Sequence, residues 1–242
     1  MRSAFKVTVA GKTDIGQKRS GNQDSFLVNE ELQLFAVADG MGGHSGGEVA
    51  SELAIKTLEK FYEKNPEKHK TIPELLSSCV SLCNKAIFEH ARTHSELMGM
   101  GTTITVCALD KEWVHIAQVG DSRCYLFRDG DLFQLTEDHS QVYEMLKAGL
   151  INEASLHSFH KNVITRSVGY EEDVQVDVFS RKVISGDRYI ICSDGLSGMV
   201  SNIQIAQILY NFSIEKSAEN LIELANLQGG EDNVTVIAFE LK

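Results

Sequence analysis

Strand-like runs and amphipathic helical segments occur in separate groups along this 242-residue chain. Short β-rich runs come first, at FKVTVA, SFLVN and LQLFAVAD. Apolar residues then recur at near-helical spacing from Gly47 to about Lys64, and again from Leu75 to Ala86. Because strands and helices do not alternate, the order predicts α+β layers rather than a doubly wound parallel sheet.

The middle and the end of the chain return to strands. The runs TTITVCAL, WVHIAQVG and SRCYLF, followed by DLFQL after an Asp129-Gly130 turn, predict one antiparallel sheet in the middle of the chain. Residues 139–160 are polar and helical in pattern, DVQVDVFS and RYIICSD are strand-like, two helices cover roughly 201–227, and NVTVIAFEL is the last strand. We expect one domain over residues 1–242.

Composition excludes several classes of protein. The formal net charge of −11 would repel a phosphate backbone, so we expect no nucleic-acid partner. No apolar run approaches the roughly 18 residues of a membrane span, and the start MRSAFKVTVAGKTD lacks the long apolar segment of a signal peptide. We therefore expect a cytoplasmic protein that binds no membrane.

The cysteines predict neither disulfides nor a zinc site. Their number is odd, no two form a CxxC pair, and four of them lie in apolar segments. We interpret them as reduced, mostly buried thiols, at Cys79, Cys83, Cys107, Cys124 and Cys192.

Acidic residues border the apolar strand-like runs. Asp39 follows LFAVA within the five-glycine stretch AVADGMGGHSGGEVAS, Asp194 follows YIICS, and Asp232 precedes NVTVIAF. Asp24 in NQDS and Asp121 in VGDSR repeat the pattern. Each of these acids taken alone could be an ordinary turn residue. Five together indicate hard oxygen ligands for magnesium or manganese, because a carboxylate at a buried strand end is costly unless it is paired or bound to metal.

Eight ordered motifs carry a family resemblance. They are TDIGQKRSGNQD, ADGMGGHSGGEVAS, GTT, VGDSRCY, LTEDHS, VITRSVG, ICSDGLS and EDNVTVI, between about residue 8 and residue 240. In this order the chain resembles the metal-dependent serine/threonine protein phosphatases of type 2C, in their short bacterial form. The resemblance implies a β-sandwich of two antiparallel sheets flanked by pairs of helices, with two Mn²⁺ or Mg²⁺ ions in a cleft at one end.

The resemblance also implies a set of metal ligands. Asp39 would bridge both ions, and Asp194 with Asp232 would complete the coordination of one of them. Asp24 and the backbone carbonyl of Gly40 would serve the other. Hydrolysis then proceeds by attack of a water shared between two ions about 3.5–4 Å apart, and it needs no covalent enzyme intermediate.

Four further positions bear on the expected chemistry. By the resemblance, Arg19 binds the substrate phosphate and Asp121 is the candidate ligand of a third metal. Gly198 stands where bacterial relatives commonly have Asn or Asp, so this chain lacks a side-chain oxygen that the resemblance places near that third site. Met41 stands where eukaryotic relatives have a histidine, and since Met cannot transfer a proton, the resemblance leaves the acid role to water.

Two histidines have both a structural and a functional interpretation, and one segment is expected to lie beside the site. His44 and His139 are candidates for contacts just outside the metal ligands, and a structural role is the alternative for both. Residues 139–162 correspond to the family's flap beside the cleft, which we expect to govern substrate choice.

The expected function is therefore a serine/threonine protein phosphatase. Its partners would be phosphorylated proteins, among them a serine/threonine kinase or its targets, and we expect a monomer. A regulatory binding protein on the same fold, and a two-metal hydrolase of nucleotides or small phosphate esters, remain alternatives. A cysteine-dependent phosphatase is excluded, because no cysteine has an arginine six residues later.

Overall fold

Two antiparallel sheets lie face to face in the computed structural model, which describes residues 3–42, 46–65, 69–152 and 163–242. The strands of sheet I, in spatial order, are β1 (Val7–Asp14), β11 (Val234–Leu241), β10 (Arg188–Cys192), β7 (Arg123–Arg128) and β8 (Asp131–Gln134). The strands of sheet II are β2 (Asp24–Asn29), β3 (Leu34–Met41), β5 (Ile104–Asp110), β6 (Trp113–Val119) and β9 (Asp177–Lys182), and the two-residue β4 (Gly101–Thr102) pairs with the end of β3.

Helices cover the outer face of each sheet. Those on sheet II are α1 (Gly46–Lys64) and α2 (Ile72–Thr93), and those on sheet I are α4 (Asp194–Ser197), α5 (Asn202–Asn211) and α6 (Ile214–Leu227). A short helix, α3 (Gln141–Lys147), follows β8, and a single 3-10 turn spans Ser95–Leu97. Local sequence sets the helix starts: Thr71 caps α2 at the Glu74 N–H, and Ser201 and Gln204 form a capping box on α5.

Three apolar layers hold these elements together. One lies between sheet II and its helices, one between sheet I and its helices, and one between the two sheets. In the layer between the sheets, the rings of Phe35 and Phe239 lie 5.0 Å apart and those of Tyr189 and Phe239 lie 4.8 Å apart. The predicted α+β sandwich flanked by helices is thus confirmed, whereas one domain over residues 1–242 stays a prediction.

Strand alternation brings acids to one end of the layer between the sheets. Because side chains alternate across a strand, Asp39 lies on the same side of β3 as Phe35 and Val37, which belong to that layer. Asp24 pairs directly with Asp39 and lies on the same side of β2 as Phe26. The apolar layer therefore ends in carboxylates.

The prediction of one antiparallel sheet in the middle of the chain is wrong. β5 and β6 belong to sheet II, but β7 and β8 belong to sheet I. The chain crosses between the sheets at Gly120, whose φ of +106° lies in the region that favours glycine. This crossing brings Asp121 to the end of the sandwich that carries Asp39.

The cysteines and the helices agree with the sequence interpretation. All five cysteines are buried and unpaired, and the Sγ atoms of Cys107 and Cys124 lie 3.6 Å apart between the sheets. Among the residues that the structure describes, no helix is both long and apolar enough to span a membrane.

Candidate active site

Asp39 is fixed through its backbone. Its N–H donates to Thr103 Oγ1 at 3.0 Å, and its carbonyl accepts from Thr103 N–H at 2.8 Å and from Thr102 Oγ1 at 2.9 Å. Burial and then the charges of Asp24 and Asp194 hold the pKa of its carboxyl well above the usual value. Without a bound cation, Asp39 would therefore be hard to ionise.

Asp24 is held from the opposite sheet. Its Oδ2 accepts from Ser193 Oγ at 2.7 Å and from Thr235 Oγ1 at 2.6 Å, across the gap between the sheets. Its Oδ1 is buried without a hydrogen-bond partner. Burial raises the pKa of this carboxyl to about 7, although the two hydroxyl groups oppose the shift.

Asp194 begins α4 immediately after β10 and Ser193. Its carboxyl group lies within hydrogen-bonding reach of the Asp39 carboxyl, and its Oδ1 is also buried without a partner. Burial and then the Asp232 charge raise its pKa. Two carboxyl groups this close can both be ionised only when a cation lies between or beside them.

Within this cluster, Asp232 is the acid for which the structure describes an ion pair. Its Oδ2 accepts from Arg19 Nη2 at 2.6 Å, and half of the Arg19 side chain is exposed. Asn233 ties the Arg19 loop to β11, because its Nδ2 donates to the carbonyls of Ile15 and Gly21, each at 2.9 Å. Asn233, the residue next to Asp232, thus also positions the loop that carries Arg19.

Gly40 marks where β3 meets the start of α1. A Cβ at this position would lie 2.0 Å from the carbonyl oxygen of Gly47 and 2.6 Å from that of Gln23. The Gly40 N–H donates to the same Gln23 oxygen at 3.1 Å. Only glycine fits there, which explains two of the glycines in the stretch around Asp39.

Asp121 lies at the edge of the cluster. Burial and then the charges of Asp194 and Asp138 raise its pKa to about 7. The adjacent Ser122 shares a 2.7 Å hydrogen bond with Thr103, the residue that also holds Asp39. The loop of Asp121 and the end of β3 are therefore fixed to one another.

His139 contacts this loop rather than the acids. Its Nδ1 accepts from the Gly120 N–H at 3.0 Å, and the backbone N–H of His139 donates to the Gly120 carbonyl at 3.0 Å. Its Nε2 lies 3.1 Å from Asp177, which also binds Arg166 at 2.7 Å. Burial lowers the pKa of His139, so the neutral ring holds Gly120 and acts on Asp121 only through the backbone.

The donor set fits a divalent cation that prefers oxygen. Four acids, Asp24, Asp39, Asp121 and Asp194, make no ion pair with any cationic side chain in the described residues, and two of them have an unpartnered buried oxygen. Within the same residues, no three His, Cys, Asp or Glu side chains converge enough to hold an ion alone. A bound Mg²⁺ or Mn²⁺ would therefore take part of its coordination from backbone and water, as Mg²⁺ does in many proteins.

The structure brings most of the expected site residues to one end of the sandwich. Together there are Arg19, Asp24, Asp39, Gly40, Asp121, Asp194 and Asp232. Met41 ends β3, and the Gly198 N–H donates to the Asp194 carbonyl at 2.7 Å. His44 lies outside the described residues, as do residues 153–162 of the predicted flap.

Sequence reasoning missed the polar residues that orient the acids. Strand alternation could have identified Thr235, which shares its side of β11 with Ile237, and Ser193, which continues the alternation of β10. The bonds of Asn233 and Thr103 join distant segments, and no local pattern indicates them.

Comparisons with known proteins agree with this geometry. The sequence profile of the protein phosphatase 2C family matches residues 11–226. The serine/threonine phosphatase stp of Listeria welshimeri is 39% identical, over 95% of this chain and 94% of the relative. The crystal structure of the Mycobacterium tuberculosis serine/threonine phosphatase PstP/Ppp has a TM-score of 0.91 and 37% identity, over 98% of this chain and 99% of that chain.

A further solved structure holds metal. The catalytic domain of the serine/threonine protein phosphatase PstP in complex with two manganese ions has a TM-score of 0.89 and 36% identity, over 97% of this chain and 98% of that one. The family profile, the relatives and the fold agree over almost the whole sequence. This chain belongs to the protein phosphatase 2C family.

Proposed function

We propose that this chain is a serine/threonine protein phosphatase that hydrolyses phosphoserine and phosphothreonine with two Mn²⁺ or Mg²⁺ ions as cofactors. The observation that carries the proposal is the cluster of acids at the end of the sandwich, where buried carboxylate oxygens of Asp24 and Asp194 have no partner. The relatives named as serine/threonine phosphatases, and the PstP structure with two manganese ions, support it.

The proposed ligands are those that the family resemblance implies, and the positions of the acids support them. Asp39, between Asp24 on its own sheet and Asp194 on the other, would be a ligand common to both ions. Asp194 and Asp232 would hold one ion, while Asp24 and the Gly40 carbonyl would serve the other. When bound, such a pair of ions lowers the pKa of a shared water and aims it in line at phosphorus.

Arg19 and Met41 complete the proposed chemistry. Arg19 is half exposed and already reaches Asp232, so its guanidinium can hold the phosphoryl oxygens where charge accumulates. Met41 offers no proton, and the leaving oxygen takes its proton from water. Asp121 is the proposed ligand of a third ion, His139 positions its loop, and Gly198 supplies no side-chain oxygen there.

The biological setting is a part of the same proposal. The chain would oppose a serine/threonine kinase in signalling, acting as a monomer on phosphorylated proteins. Five buried, unpaired thiols suit the reducing cytoplasm.

The test measures phosphate release from phosphothreonine, phosphoserine and phosphotyrosine peptides with manganese, magnesium or a chelator. Asp194→Asn should remove most activity, since it takes a ligand charge from one ion. Asp110→Asn is the matched control, because Asp110 also has a buried unpartnered oxygen but lies at the far end of β5, about 20 Å away. Activity that survives both chelator and Asp194→Asn would overturn the metal mechanism.

Two outcomes would favour the alternatives. Tight binding of a phosphopeptide without hydrolysis would indicate a regulatory binding protein. Rapid hydrolysis of nucleotides, with no activity on any phosphopeptide, would indicate a small-ester hydrolase.

A further inference from the structure

A cavity of about 360 Å³ opens beside the acid cluster. Asp121, Asp194 and Asp232 line it and also belong to the cluster, so the cavity is continuous with the site where the phosphoryl group would bind. Residues of α3, which lies in the described part of the predicted flap, also line it. A protein substrate whose phosphorylated residue lies at the acids must therefore place neighbouring residues at this cavity.

Part of the cavity lining is apolar. Val142 and Leu146 are four residues apart on α3 and so share one face of that helix, and Met199 lies after α4 on the other side. Val142 is 7% exposed, while Leu146 and Met199 are half-buried. The cavity thus presents apolar side chains beside the acid cluster.

Two features bear on the room and the charge beside these apolar residues. Gly195 and Gly198 contribute backbone without side chains, so the side chains of α4 that border the space are those of Asp194 and Ser197, and the exposed Glu231 lies at the acidic side of the lining. Arg123 also borders the cavity, but its guanidinium donates to both Asp138 oxygens and to Tyr125 Oη, at distances from 2.6 to 3.0 Å. Its charge is therefore neutralised by Asp138.

We propose that this cavity binds an aliphatic side chain of the phosphoprotein, within two residues of the phosphorylated position. The proposal rests on the proposed phosphatase function and specifies its substrate class. Val142, Leu146 and Met199 are the specificity-determining residues. Burying an aliphatic side chain there raises kcat/KM about tenfold over a charged one, in the range of one or two methylene groups.

The test compares phosphothreonine peptides that carry Leu, Lys or Glu at each position from two before to two after the phosphothreonine. The wild-type protein with manganese should prefer Leu about tenfold in kcat/KM at one of these positions. Leu146→Gln and, independently, Met199→Gln should abolish that preference while leaving kcat/KM for para-nitrophenyl phosphate unchanged, because that small ester carries no neighbouring residue to place against Leu146 or Met199.

Leu82→Gln is the matched control, since Leu82 is a partly exposed leucine of α2, on the other side of the sandwich. It should keep the wild-type preference. A preference for Lys, no preference at any position, or an undiminished Leu preference in both variants would overturn the inference but leave the phosphatase function standing. Failure to hydrolyse any peptide would instead remove the proposed function itself.

Discussion

Two groups of acids in this fold differ in whether a cationic side chain compensates for their burial. In the first group each acid is paired with an arginine: Asp138 with Arg123 at 2.6 Å, Asp187 with Arg128 at 2.6 Å, and Glu240 with Arg188 at 3.0 Å. In the second group, at one end of the sandwich, the acids face one another without such a cation: Asp24, Asp39, Asp121 and Asp194.

The pKa values of Glu240, in the first group, and of Asp24 and Asp121, in the second, shift in opposite directions. Burial tends to raise the pKa of Glu240, but Lys242 and Arg188 outweigh it and the pKa is lowered. Burial raises the pKa of Asp24 and of Asp121 to about 7, with no cation in contact to offset it. The paired acids therefore have their charge compensated within the chain, whereas the clustered acids are costly until an external cation binds.

The largest expected effect separates activity from stability at Asp39. Asp39→Asn should lower kcat about 10³-fold, or about 4 kcal/mol, because it removes the charge of the proposed ligand common to both ions. The same change should raise the Tm of the metal-free protein, since Asn can be buried beside Asp24 and Asp194 without first taking up a proton. Phosphate release and thermal melting by circular dichroism in chelator measure both, and a lower metal-free Tm would contradict this account of the cluster.

The pH dependence of stability should differ with and without metal. Between about pH 4 and pH 7 the folded, metal-free protein keeps protons on Asp24 and Asp121 that the unfolded chain has released. Its free energy of unfolding should therefore fall as the pH rises through this window.

Manganese should reverse that trend, by up to about 4 kcal/mol at a thousandfold excess over its dissociation constant. We expect metal to raise the Tm more at about pH 7.5 than at about pH 5.5, where protons compete for the same oxygens. Melting curves at both pH values, with chelator or manganese, make the comparison. Equal metal-induced shifts would show that these carboxylates are not where the ions bind.

Breaking a pair in the other group should cost stability and spare chemistry. Arg128→Met should lower the free energy of unfolding by about 3 kcal/mol, because it leaves the fully buried Asp187 carboxylate without its cation. Urea unfolding measures this loss, and kcat at saturating metal should not change. Arg128→Met with unaltered stability would remove the distinction between the two groups.

Much of the candidate site could be predicted because its acids stand next to strands with strong apolar patterns. Asp39 and Asp194 each follow a run whose burial is evident in the sequence, so their place at a strand end follows from it. The same pattern of acids beside strands indicated Asp24 and Asp232, whereas the family resemblance added Arg19 and assigned the role of each ligand.

What could not be predicted depends on contacts between distant segments. The sequence pattern of β6 and β7 is that of a hairpin, and only the backbone at Gly120 sends the second strand to the other sheet. The hydroxyl groups of Ser193 and Thr235 look like ordinary strand residues until the opposite sheet places Asp24 against them. Local periodicity carries no information about such pairings.

The smallest expected effect is at a solvent-exposed ion pair, to which the comparison between the two groups of buried acids does not extend. Lys56 and Glu52 are one turn apart on α1, and their side chains are 71% and 50% exposed. Lys56→Met should change the free energy of unfolding by no more than about 0.5 kcal/mol, because solvent already screens both charges. Urea unfolding beside Arg128→Met tests this directly. A loss as large as that of Arg128→Met would mean that burial does not decide what a carboxylate in this fold requires.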